Sequence, residues 1–356
     1  MNDLIFNAPI NSLSFGNVAL NILREMYDAK LKVSFFPIGK DLEMEAFDKI
    51  DKEFRAWIVE SYNTRLDGLS RDIPSIKLWH LNGSESTVGK NNVLYTFYEL
   101  SDPTLIESTL ASMQDKVVFS SSYASSKFED SYYCPLGFDR DFSPTNKKYL
   151  KGKTHFGLMG KFEKRKHTSR IIKLWAERYG NNPDYQLTCC INNPFMKESD
   201  ILSLINNSLE GKNYKNINLL PRLKTNSEVN EYLNAIDIDL SGLSGAEGWN
   251  LPAFNSTCLG KWSIVLNATS HKDWANKNNS ILIEPSDTEP CYDGIFFKEG
   301  SNFNQGHIYT FSDDDFYEAC EVASKKCTNK NKEGLSLSKE LTYKNTLTKL
   351  MDIANE

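Results

Sequence analysis

Short apolar runs alternate with stretches of helical spacing twice along this chain, and that alternation limits the possible folds more than any other feature. LIFNA, close to the start, has the look of a first strand. Past a polar loop containing Gly16, the residues Val18, Ala19, Ile22, Leu23, Met26 and Tyr27 recur on one helical face. KVSFFPI reads as a second strand. AFDKIDKEFRAWIVESY reads as a second helix through Phe47, Ile50, Phe54, Trp57 and Ile58. SIKLWHL, NVLYTFYE and KVVFSS follow as strands, the last two separated by a helical stretch from Pro103 to Met113. Such alternation predicts an α/β domain built on a mainly parallel sheet.

Near Asp139 the pattern breaks. GFDRDFSPTNKKYLKGKT is rich in lysine and turn formers and is expected to be a linker. A second series then begins with the strand THFGLM. It continues through a helix ending at Tyr179, the strand YQLTCCI, a helix from Glu198, the strand NINLL, a helix from Ser227 and the strand IDIDL. WSIVLN and SILIEP supply two more strands, and residues 313–327 a further helix. Residues 325–334 are expected to form a mobile loop. The tail SLSKELTYKNTLTKLMDIANE is expected to be one helix, with Leu337, Leu341 and Leu350 as its contacts. The predicted fold is α/β, with two Rossmann-like doubly wound domains facing a central cleft. The expected boundaries are 1–145 and 146–330, with 331–356 packing back on the first domain. In such sheets ligands bind at the carboxyl ends of the strands, and with two domains the cleft is the natural site.

Several function classes are disfavoured. The 356 residues are 40% hydrophobic and 25% charged, as in ordinary globular proteins. Mean hydropathy is -0.47, and no apolar run approaches a bilayer's thickness, so no transmembrane segment is expected. The N-terminal stretch lacks a basic region followed by a long apolar run, unlike a signal peptide. Seven cysteines without a C-x-x-C pair argue against a disulfide frame or zinc site and for a reducing compartment, so a cytoplasmic location is expected. A net charge of -6 disfavours wholesale nucleic-acid binding. The chain has no Walker A loop and no G-x-G-x-x-G after its first strand, which weakens a dehydrogenase reading.

Two segments carry candidate chemistry. In GLMGKFEKRKHTSR, Gly160 permits a tight turn, and Lys161, Lys164, Arg165 and Lys166 lead into a helix. Cations and free amides at a helix start suit phosphate; the alternative is a solvated basic loop. In SGAEGWNLPAFN, Gly245 and Gly248 flank Glu247, an acceptor suited to sugar hydroxyls. The amides of Trp249, Asn250 and Leu251 are candidate donors to phosphate or sugar oxygens. The alternative is a plain strand–helix turn.

Taken together, Gly160–Lys161 with Arg165 and Lys166, then Glu247-Gly-Trp-Asn-Leu-Pro, then Gly260 before a strand resemble the GT-B glycosyltransferases of the retaining, family-4-like group. LYTFYELSDP, VVFSSSYASSKF and CPLGFDRDF resemble that group's N-terminal motifs, so the likeness spans roughly residues 4–322. The resemblance implies transfer of a hexose from a nucleotide diphosphate sugar, UDP- or GDP-linked, to an acceptor hydroxyl with retention. The acceptor is open between glycan, lipid, protein and modified nucleobase. No cofactor and no metal is expected, and Asp239 of the D-x-D at 237–239, whose acids are expected to point the same way, is read as structural. Lys161, Lys166 and Arg165 would neutralise the diphosphate, Glu247 would hold the donor sugar, and Gly248 through Leu251 would line it. Asn255 stands where the group has a second Glu for the ribose. That departure leaves a non-catalytic sugar-nucleotide-binding protein as the alternative. Gly16 would allow close approach of a ligand in the first loop. Glu99 is expected to face the cleft, unless it serves as a cap partner for the helix after Pro103. His80 and His271 are expected on the acceptor side.

Overall fold

The computed structural model describes residues 2–356. The first domain runs β1 (Leu4–Ala8), α1 (Ser14–Asp28), β2 (Val33–Pro37), α2 (Lys52–Asn63), β3 (Ser75–Leu78), β4 (Asn92–Thr96), α3 (Leu105–Ser112), β5 (Lys116–Phe119), α4 (Ser122–Ser125) and β6 (Ser131–Tyr133). Its six strands are all parallel, in the order β2-β1-β3-β4-β5-β6. The second domain runs β7 (Thr154–Met159), α5 (Thr168–Tyr179), β8 (Tyr185–Cys190), α6 (Glu198–Ser208), β9 (Ile217–Leu219), α7 (Asn226–Ala235), β10 (Ile238–Asp239), α8 (Leu251–Cys258), β11 (Trp262–Leu266) and β12 (Ser280–Ile283). This sheet is also six-stranded and parallel, in the order β12-β11-β10-β7-β8-β9. A hairpin of β13 (Asp287–Pro290) and β14 (His307–Thr310) follows, then α9 (Asp313–Lys326), α10 (Lys332–Glu340) and α11 (Tyr343–Asn355).

The sequence pattern becomes packing directly. Val18, Ala19, Ile22, Leu23 and Met26 of α1 are fully buried against the first sheet. Two helix starts follow reciprocal side-chain caps: Thr104 and Glu107 form a capping box for α3, as do Thr225 and Glu228 for α7.

Four expectations need correction. Helix α2 starts at Lys52, not near Phe47. Asp51 accepts the Phe54 amide at 2.7 Å and sets the start, while Phe47 is buried in the preceding turn. The tail is two helices, because Thr342 caps a fresh start for α11 while Phe138 donates its amide to Leu341 at 2.8 Å. Of the expected loop at 325–334, residues 327–331 do run between α9 and α10, while its two ends belong to those helices. Its Asn331 is buried, caps Gly334, and donates to the carbonyls of Lys261 and Asn279. The expected linker is not a free tether at its start. Asp139 and Asp141 are buried, and Arg24 pairs with Asp141 at 2.8 Å while Asn226 of the second domain donates to it at 3.0 Å. Removing one partner of such a pair costs about 3–5 kcal/mol.

The β13–β14 hairpin was not anticipated. Cys291, Phe297 and Ile308 from it join Leu94, Tyr98, Phe119 and Phe128 of the first domain in one apolar cluster. Thr104 also donates to the Asn302 carbonyl and Asn304 to Glu107, both at 2.8 Å. The second domain is therefore strapped to the first beside the cleft. At the other end α11 packs along α1, and Thr346 donates to the Pro135 carbonyl at 2.8 Å. Among the described residues no helix is long and apolar enough to cross a membrane.

Candidate functional site

The chain leaves β7 at Met159 and turns at Gly160, whose φ of +137° favours glycine. The Lys166 side chain lies against that turn: a Cβ on Gly160 would sit 3.2 Å from Lys166 Cδ. The loop closes on His167, held left-handed with its Nε2 2.8 Å from the Tyr309 carbonyl of the strap. The second segment follows β10. Asn250 is left-handed at φ 69°, and its side chain caps α8. Its Nδ2 donates to the Ser241 carbonyl at 2.8 Å and meets His271 Nε2 at 2.9 Å, while His271 Nδ1 meets the Leu266 carbonyl at 2.8 Å. His271 so fixes the bend that presents Glu247.

These loops bring together three cations and three carboxylates. Lys166 Nζ lies 2.5 Å from Glu247 Oε1, and Arg165 lies 3.2 Å from Glu247 Oε2. Arg165 also reaches Glu163 at 3.1 Å and Glu99 of the first domain at 3.8 Å; Lys161 pairs with Glu163 at 3.0 Å. Burial works against an ionised Glu247, but Arg165 and Lys166 outweigh it and hold its carboxyl well below the usual range. Glu99 moves the other way, raised by burial and by its acidic neighbours Glu247 and Glu163, with Arg165 opposing. The α3 capping role belongs to Glu107 rather than Glu99.

Gly248 seats the bend against the first domain. A Cβ there would come 2.8 Å from Phe97 Cβ, and the Ser120 hydroxyl donates to the Gly248 carbonyl at 2.7 Å. Among the described residues, the amides of Gly248, Trp249, Asn250 and Leu251 have no acceptor. Trp249 is buried, and its carbonyl accepts from Trp274. Asn255 is also buried, 7% exposed, and its Oδ1 has no hydrogen-bond partner. His80 stands exposed at the rim, packed on Phe15 with ring centroids 4.4 Å apart.

Other expected positions fall elsewhere. His271 is fully buried and cannot line the acceptor side; its ring serves the bend instead. Gly16 lies within α1, where its close neighbour is the Asn11 backbone, 2.1 Å from a Cβ, rather than a ligand. Of the acids at 237 and 239, Asp237 precedes β10 and pairs with Lys148 at 2.6 Å, while Asp239 is fully buried and raised to about 6 by burial. No cluster suited to a metal occurs among the described residues. Sequence reasoning passed over Glu163, although it is the one acid inside the basic run, and Thr269, whose hydroxyl accepts the Glu247 amide at 3.2 Å. Two surface hollows lie away from this cluster, one of about 530 Å³ along α2 and one of about 860 Å³ beside β9 and α7. The Phe97–Gly248 contact closes the cleft where the charges meet.

No family model and no curated protein matches the chain. Solved structures do. A sucrose-phosphate synthase from Thermosynechococcus elongatus superposes with a TM-score of 0.69 at 11% identity, covering 100% of this chain and 98% of that one. HepE from Anabaena, in complex with UDP and glucose, gives 0.66 at 11% identity with 100% of both chains covered. A trehalose-6-phosphate structure from E. coli, bound with UDP-2-fluoro glucose, gives 0.65 at 10% identity with 99% of both covered. At these identities the likeness shows the fold, which is GT-B: two parallel-sheet α/β domains facing one another.

Proposed function

We propose that this GT-B chain moves a hexose from a nucleoside diphosphate sugar to an acceptor hydroxyl with retention of anomeric configuration. The observation that carries the reading is the meeting of Lys166 with Glu247, 81 residues apart in sequence, at the strand ends of the second domain and against the first. A diphosphate needs cations and free amides; a hexose needs a fixed, ionised acceptor. Lys161 and Lys166 supply the first with the amides of 248–251, and Glu247 the second. The buried, unpartnered Oδ1 of Asn255 suits a ribose hydroxyl. UDP-glucose is the donor to try first, because two of the similar structures hold UDP with glucose or a UDP-glucose analogue. In this reading residues 1–145 form the acceptor-side domain with Glu99 and His80, residues 146–330 hold the donor, and residues 331–356 brace the first domain.

As the anomeric carbon–oxygen bond to the diphosphate breaks, charge gathers on the leaving oxygens, where Lys161 and Lys166 stabilise it more than in the ground state. The acceptor oxygen bonds to the same face of the sugar, and its proton passes to the departing phosphate. Donor entry requires the Phe97–Gly248 contact to part, and its return excludes water. Substituting Lys166→Ala leaves Glu247 paired with Arg165, so the fold should persist. Donor turnover, measured as UDP release from UDP-glucose, should fall by about 10²–10³. Unchanged turnover would refute the scheme. The second reading, a sugar-nucleotide-binding protein without turnover, is favoured by Asn255 alone; donor binding with no UDP release on any acceptor would select it.

A further inference from the structure

The basic loop does not present its three cations alike. Lys161 and Lys166 side chains are 37% and 15% exposed, whereas Arg165 is 7% exposed and its guanidinium is already occupied. Its Nη1 donates to the Ala246 carbonyl and pairs with Glu247; its Nη2 pairs with Glu163 and reaches Glu99. The Phe297 ring of the strap lies over it, with its centroid 5.9 Å from Cζ. Only Nε is without a partner, and it is buried.

We propose that Arg165 is a positioning residue, not a ligand of the diphosphate: it clasps Glu99 of the first domain to Glu247 of the second and fixes the carboxylate that meets the donor sugar. The proposal rests on the sugar-facing role of Glu247 in the function proposed above. A planar guanidinium can span two carboxylates and a carbonyl at fixed angles, which the point charge of lysine cannot do. The clasp also makes the site's geometry depend on the domains being together, since Glu99 leaves Arg165 whenever they part.

A ligand ladder separates the possibilities. Binding of UMP, UDP and UDP-glucose to the full chain is measured by titration calorimetry for wild type, Arg165→Lys and Glu99→Gln; the GMP, GDP and GDP-mannose series replaces it if uridine nucleotides do not bind. Lysine keeps the charge and loses the fork. The gain in affinity from UMP to UDP should stay within about twofold in Arg165→Lys, while the gain from UDP to UDP-glucose should fall about tenfold, the scale of one charged hydrogen bond. Glu99→Gln should reduce the same sugar-dependent gain to a smaller extent. A larger loss in the UMP-to-UDP gain would make Arg165 a diphosphate ligand, and a parallel loss for all three ligands would make it merely structural; either overturns the proposal. If wild type binds no nucleotide, or gains nothing from the sugar, the function proposed above fails instead. The clasp is then tested by urea unfolding of the two variants and their double. Non-additive effects support a direct Glu99–Arg165 tie, and additive effects refute it.

Discussion

The stability of the Glu247 bend should depend on pH through His271. Burial, only partly opposed by Glu247, lowers its pKa from 6.5 to about 4. With the folded value depressed, the unfolded chain binds the proton first. Stability is therefore full above pH 6.5 and is lost as pH falls toward 4. The gap of about 2.5 units corresponds to roughly 3.5 kcal/mol at full titration, at about 1.4 kcal/mol per unit. Structurally, protonation puts a proton on Nε2, which accepts from Asn250, so the left-handed cap and the Glu247 bend lose their anchor. The assay is urea unfolding of wild type and His271→Gln at pH 7, 6, 5 and 4. Glutamine lowers stability at pH 7, but it does not titrate. The difference between the two proteins should shrink by about 3 kcal/mol between pH 7 and 4. Parallel pH curves, or an imidazole resonance titrating near pH 6.5, would refute the reasoning.

Two further outcomes are expected. Gly248→Ala places a methyl 2.8 Å from Phe97 Cβ, so it should cost about 1–3 kcal/mol of stability and weaken donor binding together; a normal thermal midpoint with normal donor affinity would show that the bend does not seat on Phe97. Asn255→Glu should tighten UDP binding about tenfold by restoring a charged acceptor at a buried, unpartnered position, whereas equal or weaker affinity by calorimetry would dissociate Asn255 from the ribose.

What the sequence determined by itself is local in origin. Short continuous apolar runs and period-3.6 apolar spacing settled the two parallel sheets, because a strand buried on both faces and a helix buried on one leave different traces in the chain. Lys161, Lys166 and Glu247 were legible for a related reason: glycine-punctuated turns after strands must carry their side chains to the sheet's carboxyl edge. The tertiary structure decided everything that depends on partners distant in sequence. His271 follows a strand just as a cleft residue would, and only packing reveals that its ring is spent on Asn250 and Leu266. Arg165 looks equivalent to Lys166 in the sequence, yet three carboxylates from both domains converge on it alone. The strap at 287–310 left little periodic signal because its strands are short and its apolar residues complete the other domain's core. Periodicity records which face of an element is buried. It does not record what lies against that face, and for a charged side chain the identity of that neighbour fixes its role.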